Sequence, residues 1–531
     1  MRHRAKPGPA SAPITSLWAH LQELEPRDTV APREVPEECT AAPGSTSWPT
    51  DETSEPGWED VADSAAPEPV PGAGQAHSDL RRRLIDDASE QLSALIRERR
   101  DNTGVADRVG ADADDTIRTL GRTIIEQLVA DEVRGTIQRG EPTLSETQQR
   151  ALIKAVEDHM FGLGPIQHLI DEPGVTDIMI NGPHVRVLYP DGRFETRPPI
   201  AESDEEVIDW LVTLAQRARG GGRPFSPVHP HLRLDLPGHI RLTAMAWTVP
   251  RPNIAIRVHR LTTVTLDDLV ARDMLPSTLA RILAAATNGG ASQMVSGPMG
   301  AGKTTLLRAL ANALPLETRI GTAETERELY LHEMPGREPY VVSGEVITGG
   351  GERDDATGRL RGTIDLSDLL YVFVRMQLEV VIVGEVAGQE IISMFKAMQF
   401  TPSSMASVHA TDARAAIHRL ATIAQEMPGI TVEYATSQVA HHVDLIVQLA
   451  RITVRDRHGQ ITGMRRFVSE VVYVEPGESD LVPAVTSVYR GNPDGTGSFG
   501  SFPTALRSAL FDGGLSEAEI PVSTLEFAEA R

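Results

Sequence analysis

The stretch GPMGAGKT, Gly297–Thr304, decides the fold of this chain. It has the form G-x-x-x-x-G-K-T, follows the apolar run SQMVSG and opens the helical pattern KTTLLRALANAL. A phosphate-binding loop needs that placement, because glycines let the backbone curl until successive N–H groups and the helix N-terminus face a phosphate chain. Lys303 has the reach for the terminal phosphates, and Thr304 offers a hydroxyl to Mg2+. The run Gly297, Pro298, Met299, Gly300, Ala301, Gly302, Lys303 and Thr304, with Thr305 after it, is the expected binding segment for ATP and Mg2+. No Asn-Lys-x-Asp motif for reading guanine occurs, which argues against GTP.

Working outward, helices and strands alternate from residue 265 to about 475. LARILAAATNG, KTTLLRALANAL, DLSDLLYVFVRM, QEIISMFKAMQF and ARAAIHRLATIAQ have helical spacing. SQMVSG, TRIGTA, EVVIVGE, SMASVHA and VDLIVQLA read as strands. Strands separated by helices predict a parallel sheet covered on both faces, an α/β RecA-like P-loop domain. In such a sheet, ligands gather at the carboxyl ends of the strands. EVVIVGEVAGQE places Glu385 at the end of a strand that reads as fully buried. The phosphate loop creates a need for a carboxylate there, to hold the metal or orient the attacking water. Gly384 is expected to leave room for the nucleotide.

Upstream, residues 161–264 mix short β-rich runs with one helix over 206–217, a smaller α+β domain of ordinary size. VTDIMING, HVRVLY, RFETR, IRLTAMAW and NIAIRVHR read as strands, with YPDG as a hairpin turn. Residues 78–160 have helical periodicity, and Ser145 with Gln148 forms a candidate capping box. Residues 1–77 are an acidic, Pro-rich tail of the kind that stays solvated. Residues 476–531 read as an extension of extra strands and a short helix.

The chain has 531 residues, a formal net charge of -23 and one cysteine, Cys39. The charge argues against direct binding of nucleic acid, and one cysteine excludes a disulfide framework or a cysteine-based zinc site. No window reaches the apolar length of a membrane span, so a cytoplasmic protein held at the membrane by partners is expected.

These motifs together resemble the type II/type IV secretion ATPase superfamily, in its CpaF-like tight-adherence pilus branch. FGLGPIQHLIDEPGVTDIMINGP (Phe161–Pro183), IVGEVAGQE and SVHATDARAAIHRL followed by VDLIVQLAR carry the resemblance. It implies a hexameric ATPase ring working on a polytopic platform protein of the inner membrane. It also implies catalytic roles for Glu324, in AETEREL, and for His409. Arg223, Arg241 and Arg257 fall where the family brings arginines from the N-terminal domain to the phosphates. Four departures stand out. Thr325 and Ala387 replace an aspartate and an arginine, MQLE stands where MRPD is usual, and the TGH opening the His box is missing.

Overall fold

The computed structural model describes residues 73–103, 111–217, 224–260, 263–347, 349, 353–354, 358–459, 461–477 and 483–525. The tail read over residues 1–77 lies outside them except for its last five residues, which begin a helix.

Three helices, Ala73–Thr103, Ala111–Arg139 and Glu146–Phe161, lead into the fold. They meet through Leu84, Ala88, Leu92, Ile125, Val129 and Val156, the apolar stripe that helical spacing puts on one face. The Ser145 capping box forms. The Gln148 amide donates to the Ser145 hydroxyl at 3.3 Å, and the Ser145 amide donates to Gln148 Oε1 at 2.8 Å.

A six-stranded antiparallel sheet follows. Its strands are β1 (Asp177–Asn181), β2 (His184–Leu188), β3 (Phe194–Arg197), β4 (His231–Leu236), β5 (Ile240–Met245) and β6 (Asn253–Val258), in the order β3-β2-β1-β6-β5-β4. Alternating side chains bury one face against the helix Asp204–Gln216 through Leu211, Trp210 and Leu214. On the other face the register sets Arg241 opposite Arg257, and Arg257 opposite Asp177. β4 escaped the sequence reading although HLRLDL alternates exposed and buried along its length.

The second sheet has nine strands in the order β15-β14-β13-β12-β7-β11-β10-β8-β9. They are β7 (Gln293–Ser296), β8 (Ile320–Glu324), β9 (Val341–Glu345), β10 (Val380–Val383), β11 (Met405–Val408), β12 (Leu445–Arg455), β13 (Ile461–Glu475), β14 (Ala484–Gly491) and β15 (Gly497–Phe499). The strands from β12 through β7, β11, β10 and β8 to β9 are parallel neighbours. β7, β8, β10 and β11 are buried at every position. Helices cover both faces in two apolar clusters, so the expected α/β class holds.

The sheet is mixed rather than purely parallel. β12 to β15 pair antiparallel, because each is joined to the next without a crossover helix. The helix Thr504–Asp512 then returns to pack on the helix Ser277–Asn288. Their closest approach is at Gly289, where a Cβ would lie 1.7 Å from the Ala509 carbonyl oxygen. That contact is backbone on backbone and has no side chain to yield. Gly289→Val is therefore expected to destabilise the domain by at least about 1–3 kcal/mol. Amide exchange over residues 504–512 checks this, since the variant should expose them ahead of the rest of the sheet.

Candidate functional site

The site is built on strand ends. Ser296 ends β7, and the loop that follows turns through Gly300 and Gly302 at φ 70° and 97° into the helix Lys303–Asn312. Moving across the sheet, β11 ends before His409, β10 before Gly384 and Glu385, and β8 ends on Glu324. The registers Ser296↔Val408, Val383↔Ala406 and Val383↔Ala323 keep these ends level. The glycine loop, His409, Glu385 and Glu324 thus stand in a row at the carboxyl edge of four adjacent parallel strands. Glu385 does not end the strand beside the phosphate loop. β11 intervenes, and His409 ends the neighbouring strand.

Lys303 is only 8% exposed. Its ammonium donates to the Gly297 carbonyl at 3.2 Å and lies 3.0 Å from His409 Nδ1. Burial pushes its pKa down, opposed first by the Glu385 carboxylate and then by Glu328. His409 Nε2 is 3.4 Å from Glu385 Oε1. Lys303, His409 and Glu385 therefore form a chain of neighbouring polar groups. The Glu385 side chain is half exposed.

Glu324 lies differently. It is 2% exposed, and its Oε1 accepts the amides of Glu328 and Leu329, both at 2.9 Å. Its other oxygen is buried without a hydrogen-bond partner. Gly384 makes room for this side chain, since a Cβ there would come within 3.2 Å of Glu324 Cγ. The space at Gly384 expected for nucleotide is taken by Glu324. Burial raises its pKa from 4.5 to about 7, against the pull of the two amides. A folded pKa above the unfolded one means that the native state binds the extra proton. Stability from this group is present in full below about pH 4.5, is lost as pH rises towards 7, and is flat above that. His259, pushed down to about 4 by burial, contributes with the opposite sign between about pH 4 and 6.5. The comparison of wild type with Glu324→Gln isolates the glutamate. Urea unfolding at pH 5 and pH 7.5 should show the variant gaining on wild type by about 2 kcal/mol at the higher pH.

The turn held by Glu324 presents Glu328. Thr304 Oγ1 donates to Glu328 Oε2 at 3.0 Å, and Arg241 donates to Glu328 Oε1 at 2.6 Å. Arg241 also pairs with Glu326. Behind the turn, the buried Arg308 donates to the carbonyls of Leu329, at 2.9 Å, and Glu328. A carboxylate therefore links the N-terminal sheet to the threonine of the phosphate loop. Arg257 donates to Asp177 at 2.9 Å, and Arg223 lies outside the described residues. Met299 is 72% exposed, and the Thr305 side chain makes no hydrogen bond among the described residues.

Sequence reasoning missed two arginines beside the loop, Arg451 and Arg466. Arg466 Nε donates to the Gly300 carbonyl at 2.8 Å, and Arg451 Nη1 lies 2.8 Å from where a Gly300 Cβ would be. Nothing in ARITVRDRHGQITGMRR marks them, because only the non-local pairing of β12 with β13 brings them to the loop.

Residues 228–477 match the family profile described as type II/IV secretion system protein. That stretch is similar to the family over a little under half of the chain. The family region takes in Arg241, Arg257, the whole phosphate loop, Glu324, Glu385, His409 and Arg466. A putative conjugal transfer protein of Mycobacterium tuberculosis is 27% identical over 353 residues, which is 65% of this chain and 93% of that protein. Type IV secretion system protein PtlH of Bordetella pertussis is 26% identical over 349 residues, 60% of this chain and 95% of that one. Among solved structures, the VirB11 ATPase from the Brucella suis type IV secretion system is 21% identical, with a TM-score of 0.28, over 60% of this chain and 97% of that one. The chain is thus similar in sequence to proteins named for secretion and conjugal transfer. No helix among its described residues is long and apolar enough to cross a membrane.

Proposed function

We propose that this protein is an ATP-hydrolysing motor of a secretion, pilus-assembly or conjugation apparatus. The observation that carries the proposal is the convergence on one phosphate loop of a buried lysine, a histidine, two carboxylates and an arginine from another domain. Loop amides and Lys303 bind the phosphate chain, and Lys303 answers the charge that develops on the terminal phosphoryl group. Glu385 orients the attacking water and takes up its proton, with His409 fixing the carboxylate's direction. Glu324 acts beneath them by shaping the turn that carries Glu328. Arg241, Arg257 and Arg223 supply positive charge from the N-terminal domain, where a planar guanidinium suits phosphate oxygens.

Thr304 and Glu328 offer hard oxygen donors, the donor chemistry that Mg2+ takes. No group of three or more His, Cys, Asp and Glu side chains fit to hold a metal occurs among the described residues. Thr304, Glu328 and Glu385 would therefore hold the ion together with phosphate oxygens. When bound, it supplies neutralisation of the charge on those oxygens.

The motor acts as a ring, a hexamer in the CpaF-like pattern, on a polytopic platform protein of the inner membrane, with the ATPase itself in the cytoplasm. Thr304 is held by Glu328, and Glu328 by Arg241, so a nucleotide that takes Thr304 also loosens the N-terminal sheet. Equilibrium binding of a fluorescent ATP analogue, with and without Mg2+, tests the site. Binding strengthened by Mg2+ is expected, and the proposal fails if wild-type protein binds neither form.

A second reading, a nucleotide-binding scaffold with weak hydrolysis, draws on Ala387. That position has no polar side chain, and its amide is committed to Glu390 at 2.6 Å. A conjugation motor shares the same chemistry, and salt-dependent DNA binding by the pure protein would favour it.

A further inference from the structure

Strands β12 and β13 remain paired beyond the sheet as a long hairpin, from Leu449↔Val468 out to Arg455↔Ile461. On this hairpin Arg466 reaches two domains at once. Its Nε donates to the carbonyl of Gly300 in the phosphate loop at 2.8 Å, and its Nη1 donates to the carbonyl of Pro190 at 3.2 Å. Pro190 lies in the turn between β2 and β3 of the N-terminal sheet. That turn is closed by the Gly192 amide on the Tyr189 carbonyl at 2.9 Å and the Tyr189 amide on the Arg193 carbonyl at 3.1 Å. Met464 packs at the same turn, with its Cε 3.1 Å from where a Gly192 Cβ would be. Burial, Arg451 and Arg257 all disfavour charge on Arg466, with Asp177 opposing them. A guanidinium kept in that setting is held by its geometry. Its rigid planar fork reaches two carbonyls from separate nitrogens, a spacing that the single nitrogen of a lysine does not reproduce.

We infer that Arg466 is a positioning residue that couples phosphate binding in the loop to the β2–β3 turn of the N-terminal domain. The inference rests on the nucleotide-binding reading above. A peptide unit is planar, so its N–H and C=O point in opposite directions. The Ala301 amide spans only a long bond to the Pro298 carbonyl, 3.2 Å, so a phosphate oxygen competes for it. Turning that amide towards a phosphate sends the Gly300 carbonyl out towards Arg466. The tighter contact holds the guanidinium, and the guanidinium holds Pro190. The coupling is reciprocal, so a fixed turn also favours phosphate in the loop.

Amide hydrogen exchange on the full chain, with magnesium ADP as the probe, tests this. In wild type, the nucleotide should slow exchange over Gly297–Thr304 and also slow Tyr189 and Gly192, the latter by about 10-fold. In Arg466→Met the loop should still slow and the turn should not. Arg466→Lys, which keeps the charge and guards against a folding defect, should behave as the methionine variant does. A merely structural strut would raise exchange at the turn in both states and leave its nucleotide-dependent ratio intact. Persistence of that ratio in either variant overturns the inference, as does a wild-type turn that ignores nucleotide while the loop responds. A wild-type loop that fails to respond overturns the nucleotide reading and the coupling together.

Discussion

Lys303→Ala is expected to lower turnover of magnesium ATP by about 10²–10³-fold, the effect of removing one preorganised donor from a developing oxyanion. The size follows from its placement. Lys303 is 8% exposed and its ammonium is fixed between the Gly297 carbonyl and His409, so it needs little reorganisation when charge moves onto the phosphate. Alanine also removes the lysine contact of His409, the neighbour of Glu385. Binding should weaken with turnover, because Lys303 meets the phosphates in the ground state as well. Phosphate release and equilibrium binding measured on the same preparation separate these two losses.

Glu385→Gln is expected to lower turnover by about 10²–10⁴-fold while leaving nucleotide binding within a few-fold of wild type. Glutamine keeps the shape and the contact with His409 but cannot accept the proton of the attacking water. The residue is half exposed and outside the loop, so the loop should hold its form. The contrast between the two variants is informative. A lysine that binds and a carboxylate that reacts give different splits between affinity and rate, whereas two structural residues give the same one.

What could be read directly from the sequence was whatever is written locally. The phosphate loop announces itself because glycine spacing, lysine and threonine act within eight consecutive residues. β7, β10 and β11 announce themselves as apolar runs because both faces of each are covered. β9 did not, since VVSGE is half buried throughout at the edge of the sheet and contains a glycine. The helix Val432–His442 also escaped, because only Ala435, Val439 and Ala440 are buried and its ends carry a β-branched residue and two histidines. Glu324 and Glu385 look alike as acids at strand ends. Only the third dimension shows that one is buried under Gly384 and the other open beside His409. Arg466 carries no local signal at all, since its partners are 166 and 276 residues away in the chain.

The most direct measurement of the central claim is steady-state phosphate release from magnesium ATP by the purified wild-type protein beside Glu385→Gln. The motor account predicts wild-type release at least about 100-fold above the variant. Equal rates for the two proteins, with nucleotide bound by both, would contradict it.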